Sequence, residues 1–312
     1  MRMSAEGQGE QLVEGRLVTL VVGDAGSRVW LGPGWAVLCG AVASGGLSVQ
    51  WRTPVVLLLG VLLADSVLGS VWGLAGLEGR APRRKKRGNP VRQSGELAGP
   101  RESPGSAALR VLDSWKSRLA RWASRTWPRA GGSILEWGFL SLLALLISSV
   151  LGSVPLGLTV VALGFAAWRL AMAPREGVLS SVLASCCLAG LPWLMGWAAF
   201  SDLQFGMNGL RPLSQALVWA AAYAMTFHAY RLLGGRRLAT GSTLLAAAHL
   251  SAVVVLIVVR EPILAGGVAL LLLPQLMLQP ALLSVGEGVW YLRRVQIFTM
   301  LATMVTAMAM MA

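Results

Sequence analysis

The chain of 312 residues is 55% hydrophobic and only 13% charged, which leaves too little polar surface to cover the core of a water-soluble protein. Its net charge is +13, and the basic residues cluster in segments between apolar runs. This distribution indicates membrane topology and contact with anionic lipid headgroups, and we expect no nucleic-acid partner. A soluble enzyme is therefore excluded as the starting hypothesis.

The apolar runs are long enough to cross a bilayer, because a helical span needs roughly 17–25 apolar residues for the ~30 Å hydrocarbon core. The runs lack the alternation typical of an outer-membrane barrel strand. We therefore predict an all-α, polytopic membrane protein with about nine transmembrane helices and one interfacial helix. The predicted spans are residues 29–49, 54–76, 134–152, 154–173, 178–200, 213–230, 243–259, 262–283 and 295–312.

One long segment, residues 77–133, interrupts the apolar runs and carries fourteen Lys and Arg residues. Within it, residues 108–127 place apolar side chains on one helical face and basic side chains on the flanks, which predicts an amphipathic helix lying in the membrane interface. A basic linker helix in solvent is the alternative. The apolar face consists of Val111, Leu112, Trp115, Leu119 and Trp122.

The chain thus divides into four sections. Residues 1–28 form a cytoplasmic N-terminal segment, residues 29–76 contain the first two transmembrane helices, residues 77–133 form the basic cytoplasmic loop, and residues 134–312 contain transmembrane helices three to nine.

The positive charges predict the orientation. With a cytoplasmic N-terminus, only three of the 27 Lys and Arg residues fall on the outer side, namely Arg52, Arg211 and Arg260. Basic residues accumulate on the cytoplasmic side of membrane proteins. We therefore expect an integral protein of the inner (plasma) membrane.

Three segments resemble one membrane enzyme family. Residues 27–30, Ser-Arg-Val-Trp, are followed by Gly40 and Ala41; residues 190–196 form a Gly- and Pro-bearing helix; and residues 234–244 look like the end of a Gly-rich basic signature. Together with nine spans and long cytoplasmic connections, they resemble the UbiA-type membrane prenyltransferase superfamily. The resemblance implies a UbiA-like helical bundle.

The chemistry that the resemblance implies needs carboxylates. In that family, two Asp-rich motifs hold Mg²⁺ ions that neutralise the diphosphate of an isoprenoid donor. At the first motif only Asp65 remains, and at the second there is no Asp or Glu between Asp202 and Glu261. Gly235 stands at the expected Asp position, beside Arg236 and Arg237. The chain therefore resembles a degenerate member of the family.

Five residues are the candidate ligand-binding set: Asp65, Arg236, Arg237, His228 and His249. A carboxyl at the depth of Asp65 is either functional or structurally paired. The two histidines are either buried and hydrogen-bonded or ligands of a metal or chlorin-type pigment. No residue is assigned as catalytic or as a metal ligand, and no cofactor is expected.

Trp193, Trp197 and Trp219 are either interfacial anchors or the lining of an internal cavity. The three cysteines, Cys39, Cys186 and Cys187, fall within predicted spans and are interpreted as packing residues.

Three functions compete. The first is a non-catalytic UbiA-like protein that acts as a subunit of a membrane complex or binds an isoprenoid or pigment. The second is an active prenyltransferase for an aromatic or tetrapyrrole acceptor, with Mg²⁺ held by Asp65 and by carboxylates of the basic loop. The third is a transporter component, which the scarcity of charge inside the spans disfavours. The loop carboxylates are Glu78, Glu96, Glu102 and Asp113.

Overall fold

The computed structural model describes residues 31–48, 50–77, 135–172, 178–201, 210–235 and 237–310. The N-terminal segment, the basic loop with the predicted amphipathic helix 108–127, and Arg236 lie outside the described residues.

The described residues form nine helices and no strand, so the all-helical prediction is confirmed. Each of the nine predicted apolar runs overlaps one helix. The helices are α1 (Pro33–Ala43), α2 (Arg52–Val61, Leu62–Leu68 and Gly69–Leu77 in one continuous run), α3 (Leu135–Leu151), α4 (Ser153–Met172), α5 (Val178–Phe200), α6 (Leu210–Gly234), α7 (Leu238–Val258), α8 (Pro262–Val285) and α9 (Gly288–Met308).

Five of these helices, α2, α4, α5, α7 and α8, are long and apolar enough to cross a membrane. An α-helix rises 1.5 Å per residue, so about 20 residues cross the hydrocarbon core. Helices α1 and α3 are apolar but shorter than this. The structure is therefore compatible with an integral membrane protein.

Helices α6 and α9 are long enough but less apolar, and their position in the bundle explains why. In α6, Tyr223, Phe227 and Tyr230 are buried, and in α9 Tyr291 and Thr299 are buried. Tyrosine and threonine lower the hydropathy of a helix, yet inside a bundle their hydroxyls find protein partners. These two helices thus form the polar centre of an otherwise apolar bundle.

Helix α1 crosses α5 at very short range through two glycines. A Cβ built on Gly40 would lie 1.9 Å from the carbonyl oxygen of Trp193, and one on Gly196 would lie 2.1 Å from that of Val37. Only glycine permits this backbone-to-backbone contact, which is typical of membrane helix pairs. The crossing fixes α5, and with it Trp193, against α1.

Two helices contain a π-helical segment, and a single glycine separates two other helices. Residues Leu62–Leu68 of α2 and Cys186–Gly190 of α5 are π-helical. Between α3 and α4, Gly152 adopts φ +127°, a conformation that residues with a Cβ rarely adopt. This glycine alone separates the end of α3 at Leu151 from the start of α4 at Ser153.

Candidate functional site

A narrow cavity lies between helices α5, α6, α7 and α9. It is small, with a void of about 20 Å³, and it is partly open to the surroundings. The lining residues are Trp193, Trp219, Ala222, Tyr223, Thr226, Ala248, His249, Ala252, Ala302, Thr303, Thr306 and Ala307.

The cavity exists because four helices present small side chains to one another while aromatic side chains hold them apart. Ala222 and Ala252 line it from α6 and α7, and Ala302 lines it from α9. Trp193 of α5 and Trp219 of α6 contribute aromatic surface and are 2% and 9% exposed. Apolar walls with a few fixed polar groups are typical of small-molecule sites.

His249 is the most informative polar group in the cavity. It is 3% exposed, and its Nδ1 lies 2.9 Å from the carbonyl oxygen of Leu245. Because a carbonyl oxygen only accepts, Nδ1 must carry the hydrogen and Nε2 must carry a lone pair. Nε2 is buried and has no partner among the described protein residues. The imidazole therefore presents an acceptor that the bundle leaves unsatisfied.

The three threonines of the cavity also present oxygen lone pairs. The Oγ1–H of Thr226 donates to the carbonyl of Ala222 at 3.0 Å, and that of Thr306 donates to the carbonyl of Thr303 at 2.8 Å. Thr303 donates to the carbonyl of Met300 at 2.9 Å. Each hydroxyl hydrogen is thus used within its own helix.

Thr303 also connects the cavity to helix α1. Its Oγ1 accepts a hydrogen bond from Nε1 of Trp35 at 3.1 Å, and the thiol of Cys39 lies 3.9 Å from the same oxygen. Through α1, the α1–α5 crossing and the α1–α9 hydrogen bond together hold two walls of the cavity, α5 and α9, in register.

A second buried polar cluster lies between α6, α8 and α9. The hydroxyl of Tyr230 donates to Oγ1 of Thr299 at 2.9 Å, and Nε2 of Gln275 donates to the same oxygen at 3.2 Å. The hydroxyl of Tyr291 donates to the carbonyl of Gln275 at 3.0 Å. This cluster ties the polar helices α6 and α9 to α8, and its groups are satisfied mainly by one another.

His228, the other candidate histidine, belongs to a different environment. It is 8% exposed, and its Nδ1 lies 3.2 Å from Oγ of Ser185 on α5. One turn further along α6, Arg231 donates to the carbonyl of Ser181 at 3.2 Å. His228 does not line the cavity, and these contacts fit the structural alternative of a buried, hydrogen-bonded histidine.

Asp65 lies in the π-turn of α2 and faces the start of α1. Its carboxylate interacts with the backbone N–H of Gly34, which belongs to the first turn of α1 and has no partner within that helix. A carboxylate at a helix N-terminus is stabilised by the helix dipole. Asp65 thus lies beside the first turn of α1, where a Cβ built on Gly34 would be 3.7 Å from that of Asp65.

The structure does not bring the four described candidate residues together. Of the four that it describes, only His249 lines the cavity. Arg237 stands exposed at the start of α7, and Arg236 is outside the described residues. Within the described ranges, no three His, Cys, Asp or Glu side chains are placed to hold a metal ion.

Of the three tryptophans considered for a cavity, Trp193 and Trp219 line it, whereas Trp197 is buried elsewhere. Sequence reasoning missed Tyr223, Thr226 and the threonines of α9. The sequence pattern that could have indicated them is the mixture of Thr and Ala in long apolar helices. In membrane proteins this pattern indicates helix–helix contacts as often as binding sites.

The described residues form an all-helical bundle with five span-length helices and a small, partly open cavity lined by aromatic side chains and His249. No protein-family model, curated protein or solved structure matches the chain.

Proposed function

We propose that the chain is a non-catalytic integral membrane protein, with nine spans in a UbiA-like bundle, that binds an isoprenoid or pigment where the small cavity between α5, α6, α7 and α9 opens to the surroundings. The observation that supports this most is the pairing of aromatic walls with one unsatisfied acceptor, Nε2 of His249. An apolar molecule with one polar group matches such a lining.

The placement of charge supports the proposed orientation. Arg169 of α4 lies 5.7 Å from the ring of Trp72 on α2, and Arg231 of α6 bonds to the start of α5. Gly288 of α9 approaches the carbonyl of Leu233, which brings the basic start of α9 to the same end. Arg52 and Arg260 belong to the opposite end. The end with more basic residues corresponds to the cytoplasmic side.

Cysteine labelling tests this topology. We expect Gly235→Cys, at the basic end, to react with a membrane-impermeant maleimide only after permeabilisation. Arg260→Cys, at the opposite end, should react in intact cells. Both positions are exposed, and the background for both would carry Ser or Ala in place of the three native cysteines. Labelling of Gly235→Cys in intact cells would contradict the orientation.

The carboxylate count supports a non-catalytic role. A prenyl diphosphate needs its leaving group neutralised, and of the expected acidic positions only Asp65 is present, facing Gly34 of α1. Arginine cannot hold Mg²⁺. The active-prenyltransferase alternative would need carboxylates of the 77–133 loop to complete a metal site.

We therefore expect purified protein to release no diphosphate from allylic polyprenyl diphosphates in a Mg²⁺-dependent manner, with either an aromatic or a tetrapyrrole acceptor. Phosphate-coupled detection after pyrophosphatase treatment would measure this. Robust turnover that disappears in Asp65→Asn would establish the enzyme alternative instead.

The molecules that co-purify with the protein test the proposed binding function. We expect organic extracts of protein purified in mild detergent to contain an isoprenoid or pigment at close to one molecule per chain, measured by mass spectrometry and absorbance. An unrelated membrane protein from the same host, purified identically, controls for bulk lipid. Equal amounts in both extracts would contradict the proposal.

A further inference from the structure

The void between α5, α6, α7 and α9 has the size of one small molecule. Its volume is about 20 Å³, and a site needs roughly 10–15 Å³ of such space to hold one water molecule. Trp193 and Ala248, which line it, are each 2% exposed, so the walls around it are closely packed. The void therefore has room for one molecule of the size of water and excludes a longer chain of atoms.

The charge of the lining also restricts the occupant. None of the described side chains that line the void is Asp, Glu, Lys or Arg. A buried ion without a counter-charge is costly, so neither a cation nor an anion suits this space. An apolar gas would fit by size, but the cavities that stay dry are those with apolar linings. The occupant is therefore a small, neutral, polar molecule.

The polar groups of the lining present hydrogen-bond acceptors. His249 donates its Nδ1 hydrogen to a backbone carbonyl of its own helix at 2.9 Å, and its Nε2 is a buried acceptor with no partner among the described residues. Thr226 and Thr306 donate their hydroxyl hydrogens within their own helices, so their oxygens present lone pairs. The oxygen of Thr303 already accepts from Nε1 of Trp35. A molecule with two hydrogens to donate matches this set.

We propose that one ordered water molecule occupies the void. It donates one hydrogen to Nε2 of His249 on α7 and the other to Oγ1 of Thr226 on α6 or of Thr306 on α9. A buried acceptor without a partner is costly, and a bridging water removes that cost. The water thus links α7 to a second wall of the cavity. This inference is independent of the proposed function, because a ligand at the opening and a water inside the void occupy different space.

Histidine-selective ¹⁵N labelling tests the proposal, because His228 and His249 are the only histidines of the chain. The protein is purified through a tag without histidine, and a His228→Gln variant assigns the two imidazoles in the NMR spectrum. We expect His249 to carry its hydrogen on Nδ1, to show the chemical shift of a hydrogen-bonded acceptor at Nε2, and to give a nuclear Overhauser cross-peak from its ring to water. An Nε2 that accepts no hydrogen bond would overturn the proposal.

Thr226→Val and Thr306→Val identify the second acceptor, because valine keeps the shape of threonine and removes its oxygen. We expect one of the two variants to reduce the cross-peak between water and His249 several-fold, since one hydrogen bond contributes about a factor of ten to a binding equilibrium. Thr243→Val is the matched control. Thr243 is exposed on the same helix as His249 and does not line the void, so this variant should leave the cross-peak unchanged.

An unchanged cross-peak in both single variants and in the double variant would overturn the bridge to a threonine. Should these variants fail to fold, a map of the wild-type protein that resolves ordered waters decides alone. A single spherical peak at a hydrogen-bonding distance of about 2.7–3.2 Å from Nε2 of His249 is the expected result. A void without density, or with elongated density, would overturn the proposal.

Discussion

Gly40→Ala and Gly196→Ala are each expected to lower the unfolding temperature of the purified protein by roughly 5–10 °C. The added Cβ would lie 1.9 Å from the carbonyl of Trp193 in the first variant and 2.1 Å from that of Val37 in the second. These carbonyl groups belong to the helix backbone and cannot rotate away as a flexible side chain can. Helices α1 and α5 must therefore separate to make room for the added methyl group. Overpacking of this kind costs about 1–3 kcal/mol, and each kcal/mol shifts the unfolding temperature of a chain of this size by roughly 2–4 °C.

Gly164→Ala is the matched control. Gly164 lies in helix α4, is exposed, and has nothing within 4 Å of a built Cβ. Alanine is about 1 kcal/mol more favourable than glycine inside a helix, so this variant should unfold at the same or a slightly higher temperature. Differential scanning fluorimetry in detergent measures all three. A similar decrease in the unfolding temperature of Gly164→Ala would show that the α1–α5 crossing does not explain the effect of the other two variants.

Ala222→Phe is expected to reduce retained or added ligand by tenfold or more. Ala222 lines the cavity from α6, and a phenyl ring placed there would occupy the space between the tryptophan walls. A ligand that must displace or compress that ring loses about 1–3 kcal/mol, and 1.4 kcal/mol is already a factor of ten in affinity.

The neighbouring residue provides the control. Ala221 is exposed on the outside of α6, so Ala221→Phe introduces the same side chain one position away without entering the cavity. We expect ligand recovery in Ala221→Phe to equal that of wild type when both are quantified by mass spectrometry after purification. Equal recovery in both variants would place the ligand outside this cavity.

The helices could be predicted from the sequence because their signal is local. Each apolar run contains its own hydrogen-bonding partners, and lipid or protein burial favours a helix wherever about 20 such residues follow one another. The ends were predicted less well. Helix α9 begins at Gly288 rather than near residue 295, and α7 at Leu238 rather than near residue 243, because helices continue past the apolar boundary.

The cavity could be predicted only in part, because it depends on distant contacts. Trp193 and Trp219 carry a recognisable signal as tryptophans within small-residue helices, but nothing local places Thr303 beside Trp35, which is 268 positions away in the chain. The surroundings of Asp65 also depend on a contact with a distant segment of the chain. Nothing in its own segment shows that its side chain lies beside Gly34, near the start of α1.

We propose that an apolar molecule binds at the cavity between α5, α6, α7 and α9 of a membrane-spanning bundle. A cryo-electron microscopy map of the protein in lipid nanodiscs tests this most directly. We expect elongated density against Trp193 and Trp219, within a bundle whose helices cross the nanodisc. A map that resolves both indole rings and shows no density between them, or that places these helices outside the lipid disc, would contradict it.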